Sequence, residues 1–121
     1  MNELIHLRDT MRAFADERDW QQFHTPKNLA AALSVEAAEL LEPFQWLREG
    51  RAEELGAAGM VAVRHEMADV LAYLVRLADV LEVDLAAAFA EKMALNRAKY
   101  PAEQVRGDAR KYTAYQADKL G

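Results

Sequence analysis

The stretch VRHEMADVLAYLVRLADVL, residues 63–81, decides the fold class. Val63, Met67, Val70, Leu74, Leu77 and Leu81 recur at intervals of three and four over about five turns, which is the period of one helix face and not of a strand. The same signal appears on both sides. Leu4, Leu7, Met11 and Phe14 mark a first helix that runs out in the polar residues 16–19. Thr25 and Pro26 read as an N-cap followed by a proline at the first helical position, and Leu29, Leu33, Leu40, Phe44 and Leu47 carry a stripe, so a second helix is expected from about Pro26 to Trp46, with Pro43 kinking or ending its ladder. Residues 48–59 hold three glycines among mixed charges and read as a connection with at most a short turn. Asp84 caps a fourth helix that ends at Tyr100 and Pro101. The expectation is an all-α chain: one helical domain over residues 1–101, then a tail, 102–121, that lies on the surface or is partly disordered.

Composition agrees. The 121 residues include 24 alanines and 15 leucines, against only 12 of valine, isoleucine and threonine together, a balance that favours helix over sheet. The formal charge is -5 and no basic block stands out, which argues against a nucleic-acid polymer as partner. Cysteine is absent, so disulfides, thiolate metal sites and thiol nucleophiles are excluded. No apolar leader and no stretch long enough to cross a membrane is visible, which makes the cytoplasm the default location and a membrane partner unexpected.

Polar residues on the apolar seams are the informative anomaly. On the second helix Glu36 falls in line with Leu29, Leu33 and Leu40, and Glu39 follows one turn later; on the third, Glu66 and Asp69 sit on the shoulder of the seam, with Tyr73 a turn beyond. A single E-x-x-E pair is ordinarily a solvated face. Two pairs beside seams on successive helices would put four carboxylates near a core, and several unpaired buried anions are too costly without a cation. An all-oxygen set suits a hard divalent ion, with magnesium the natural choice where phosphates complete the coordination. On the fourth helix Lys92, Asn96, Arg97, Lys99 and Tyr100 form a cationic and amide-bearing strip suited to phosphate oxygens, although basic residues at a helix C-terminus also serve the macrodipole. Trp20, Phe23 and His24 precede the second helix and Trp46 closes it, offering faces for a nucleobase or, equally, for a subunit interface.

Glu36-x-x-Glu39 with Glu66-x-x-Asp69, followed by Lys92-x-x-x-Asn96-Arg97-x-Lys99-Tyr100-Pro101, resembles the all-α NTP pyrophosphatases of the MazG-like group. Residues 14–46 look most like its dCTP pyrophosphatase branch. The resemblance implies a four-helix MazG-like bundle completed by oligomerisation, as a dimer or a homotetramer with active sites at subunit contacts. It also implies magnesium-dependent hydrolysis of a nucleoside triphosphate, dCTP or a 5-modified dCTP, to the monophosphate and pyrophosphate. Carried over by position, Glu36, Glu39, Glu66 and Asp69 become the catalytic metal ligands, and Lys92, Asn96, Arg97 and Tyr100 the triphosphate contacts. Trp20, Trp46 and Tyr73 become the nucleoside pocket, with His24 nearby. Met11 departs from the pattern, since animal members carry there a histidine that reaches the base. Three other readings stand beside this one. A broad-specificity house-cleaning NTP pyrophosphatase and a non-enzymatic helical oligomerisation module both fit the seams. A ferritin-like di-iron bundle needs two Glu-x-x-His motifs, and only Glu3-x-x-His6 is present.

Overall fold

The computed structural model describes residues 2–108, and every regular element among them is helical. Helix α1 spans Glu3–Glu17, capped by Asn2, whose side chain accepts the Leu4 N–H at 2.8 Å. A 3-10 turn, Gln21–Phe23, leads to α2, Pro26–Leu41, where the Thr25 hydroxyl accepts the Asn28 N–H at 3.2 Å.

Helix α2 is shorter than its apolar stripe suggests, stopping at Leu41 and not at Trp46. Pro43 has no N–H to continue the ladder, and beyond it the chain bonds at the tighter spacing of three, with Phe44 N–H to Leu41 at 2.9 Å and Leu47 N–H to Phe44 at 2.9 Å. At Gly50 the backbone takes a φ of 77°, and a side chain there would meet the Phe44 ring at 2.6 Å, so the reversal needs glycine.

Helix α3 spans Ala52–Val80 and begins well before the seam at Val63. The expected connection is largely helical because the Glu54 carboxylate accepts the backbone N–H groups of Arg48, Glu49 and Arg51 at 3.0, 3.3 and 3.3 Å, satisfying donors ahead of the first turn. Gly56, at φ 69°, breaks the helix once near its start.

The chain divides into two compact units, one ending at Val83 and one beginning at Asp84. In the first, α3 packs against both α1 and α2. Its core is small: Ala15, Leu29, Val63, Val75 and Ala78. The predicted seam is only partly interior, since Val63 is buried while Met67, Leu74 and Leu81 are exposed. The face of α3 turned inward is rotated toward Val75, Arg76 and Ala78, so much of the seam remains on the surface of the chain.

The second unit holds α4, Leu85–Lys99, capped by the Asp84 carboxylate on the Ala87 N–H at 3.0 Å, and α5, Ala102–Val105. Of the expected tail, residues 109–121 lie outside the described residues. No described helix is long and apolar enough to cross a membrane.

Candidate functional site

Glu36 and Glu39 lie one turn apart on α2, and packing of α2 on α3 sets them against Glu66. One carboxylate oxygen from each of the three lies within 4.8 Å of the others. Asp69, one turn along α3, is exposed at the edge of this group and close enough for its charge to act on Glu36. The convergence is costly as it stands. The Oε2 atoms of Glu36 and Glu66 are shut off from solvent with no hydrogen-bond partner, and no salt bridge reaches Glu36, Glu39 or Glu66 among the described residues.

Burial pushes the Glu36 carboxyl up to about 7, helped by its hydrogen bond with Glu39 and by the charges of Glu39, Asp69 and Glu66. The raised Glu36 carboxyl is the chain's own way of relieving the crowding. A divalent cation would relieve it better, because it meets the orphaned oxygens and cancels several charges at once. Hard oxygen donors, two of them sealed and unpaired, fit such an ion. Beside them opens a groove of about 470 Å³ into which Glu39 and Glu66 project, with Pro43, Leu47, Leu55 and Gly59 among its apolar walls.

The aromatic candidates separate into two places. Trp20 packs edge-on between Phe14, at 5.6 Å between ring centres, and His24, at 6.2 Å. Trp46 stands 88% exposed on the turn that follows α2 and makes no ring contact among the described residues. Tyr73 is half-buried on α3 between Asp69 and Arg76. Lys92, Asn96 and Arg97 lie on α4 with Tyr100 at its C-terminal cap, in the second unit; Lys92 and Arg97 are exposed and Asn96 is half-buried.

A charged cluster that sequence reasoning missed lies at the other end of the α2–α3 pair. Arg76 is only 5% exposed. Its Nη1 donates to Asp79 Oδ2 at 3.1 Å and its Nε to His24 Nδ1 at 3.1 Å, while Arg12 on α1 donates from Nε to the same Asp79 oxygen at 2.9 Å. The Arg12 hydrogen bond, aided by the charges of Arg12 and Arg76, holds the Asp79 carboxyl below the usual carboxylate range. Burial, then the Arg76 charge, pushes His24 below the usual imidazole value. The available signal was a pair of opposite charges, Arg76 and Asp79, three apart inside the apolar run LVRLADVL.

Residues 31–114 match the MazG-like family. The chain is 48% identical over 112 residues to dCTP pyrophosphatase 1 of Homo sapiens and 46% over 115 residues to that of Bos taurus, covering 91% of this chain in each case. It spans 66% of the length of these curated relatives. A crystal structure of a pyrophosphatase from Archaeoglobus fulgidus superposes with a TM-score of 0.76 at 45% identity, covering 84% of this chain and 94% of that one. With residues 31–114 matched and 84% of the chain superposed on a solved pyrophosphatase, the chain belongs to the MazG-like family.

Proposed function

We propose that this protein is a magnesium-dependent nucleoside triphosphate pyrophosphohydrolase acting on a cytoplasmic pool of dCTP or 5-modified dCTP. The observation that carries the reading is the convergence of Glu36, Glu39 and Glu66, two of whose oxygens are buried without partners. The dCTP pyrophosphatases it is similar to supply the substrate class.

Glu36, Glu39 and Glu66, with Asp69 at their edge, would hold the ion. When bound, it supplies positive charge to the triphosphate oxygens and to the departing pyrophosphate. The chain's own part is to hold a water against the α-phosphorus and take its proton on a carboxylate. The bond from the water oxygen to the α-phosphorus forms, the bond from that phosphorus to the bridging oxygen breaks, and pyrophosphate leaves with the electron pair. Lys92, Asn96, Arg97 and Tyr100 are proposed as triphosphate contacts, and Trp20, Trp46 and Tyr73, with His24, as the nucleoside pocket.

We also infer a homo-oligomer, a dimer or a tetramer. Met60, Val61, Met67, Leu71 and Leu74 all lie exposed on α3, more apolar surface than a monomer of this size ordinarily leaves to water, and a second copy is the usual cover. Light scattering should give a multiple of 13.6 kDa, and the monomer mass would refute it. Activity is tested by pyrophosphate release from dCTP, 5-methyl-dCTP, dTTP and dATP with and without magnesium. The expected result is metal-dependent turnover with the cytosine nucleotides preferred. Turnover of none would leave the oligomerisation module as the reading, and equal turnover of all would favour the broad-specificity enzyme.

A further inference from the structure

The side of α3 that carries Glu66 and Asp69 continues through Tyr73 to Arg76, positions spaced by three, four and three residues and so gathered on one face. From Glu66 to Arg76 that face rises about 15 Å, a span over which a triphosphate, a sugar and a base can be laid out in line. At one end it meets Glu36 and Glu39; at the other the Arg76 guanidinium meets His24, whose ring lies against Trp20. His24 is fixed in place by its backbone, since its N–H bonds to the carbonyls of Trp20 and Gln21, both at 3.1 Å, just ahead of the α2 cap.

Arg76 leaves the imidazole one arrangement. Its Nε carries a proton at every accessible pH, so the His24 nitrogen that faces it must accept, and in the neutral ring the proton then sits on Nε2. Asp79 holds Arg76 in this pose, and Arg12 holds Asp79 from α1. Nε2 has no partner among the described residues and is not one of the buried orphan atoms. We propose that Arg76 is a positioning residue: it locks His24 as the Nε2–H tautomer, so that the ring meets the nucleoside end of the substrate as a hydrogen-bond donor to a base or sugar acceptor. This rests on the pyrophosphohydrolase reading for its substrate, but the locked tautomer does not.

The test uses the full chain labelled with nitrogen-15 at histidine, with His24→Gln to assign the His24 signals among the three histidines. In the free wild-type protein the His24 spectrum should show Nδ1 bare and Nε2 protonated, and Arg76→Met should convert it to a mixture of tautomers. For dCTP, Arg76→Met should raise KM about fivefold, the worth of one hydrogen bond, with kcat kept. Arg76→Lys, which retains charge and a donor, should recover part of that loss. In a His24→Gln background, where the amide donor has no tautomer to lose, Arg76→Met should add nothing further. A protonated Nδ1 in the wild type, an unaltered His24 spectrum in Arg76→Met, or the same KM increase in both backgrounds would overturn the proposal. The wild-type spectrum decides the tautomer even if Arg76→Met fails to fold. It also does so if no nucleotide is hydrolysed, an outcome that would count against the catalytic reading instead.

Discussion

At one end of the α2–α3 pair, Glu36, Glu39 and Glu66 crowd together with two buried oxygens unpartnered; at the other, Asp79 lies between two guanidiniums, its carboxylate only 9% exposed. Helix α3 contributes to both, joined by α2 at the glutamate end and by Arg12 of α1 at the other, and the same chemistry is present, an anion withdrawn from water. The Asp79 end is complete within the chain, because Arg12 and Arg76 neutralise and hydrogen-bond it. The glutamate end is incomplete within the chain and raises the Glu36 carboxyl instead. A fold tolerates such a debt where a ligand is meant to settle it. On the reading proposed above, the difference separates a region that holds the helices together from one that receives an ion.

Removing charge from each end in turn should damage a different property of the protein. Glu39→Gln should lower kcat for dCTP by about 10²–10⁴-fold while leaving the helical circular dichroism unchanged, because ligand charge goes and volume stays. Near-normal turnover would show that the glutamates are not the reacting centre. Asp79→Ala should act through stability: leaving Arg76 buried without its anion is expected to cost about 3–5 kcal/mol in urea unfolding. A change under about 1 kcal/mol would mean the cluster is no more than a surface pair.

A smaller effect separates the ends by pH. The folded Glu36 carboxyl, at about 7, lies above its ordinary 4.5, so its contribution to stability is fully present below 4.5 and is lost as pH rises through 7. Asp79 is held below its ordinary 3.8, so its contribution is present above 3.8 and lost as pH falls through the depressed value. Without metal, Glu36→Gln should therefore flatten the thermal stability profile between pH 4.5 and 7 and leave the acid limb intact. An unchanged slope in that window would contradict the assignment. Smaller still for the fold, Trp46→Ala should barely change stability, since the side chain is 88% exposed, but should raise KM for dCTP about tenfold if it stacks on the base.

Much of this was legible in the sequence. The helical class followed from the three-and-four spacing, the starts of α2 and α4 from Thr25 with Pro26 and from Asp84, and three members of the carboxylate cluster, Glu36, Glu39 and Glu66, from two pairs placed beside apolar stripes, while Asp69, expected to face inward with them, is exposed. The start of α3 was hidden because residues 48–59 look like a glycine-rich connection, whereas the helix begins at Ala52, with Glu54 reaching back to three backbone N–H groups ahead of it. The seam misled about the core, since a stripe shows which residues are apolar and not which neighbour covers them. Arg76 and His24 are 52 residues apart in the chain, and Arg12 and Asp79 are 67 apart, so no local pattern joins them.

On the proposed reading the glutamate end is a cation site and the Asp79 end is not. This is tested most directly by the thermal midpoint of the full chain with and without millimolar magnesium, in the wild type, Glu39→Gln and Arg12→Ala. Magnesium should raise Tm in the wild type and in Arg12→Ala by the same amount, and should raise it little or not at all in Glu39→Gln. An equal rise in all three, or none in the wild type, would mean that the glutamate end is not the magnesium site.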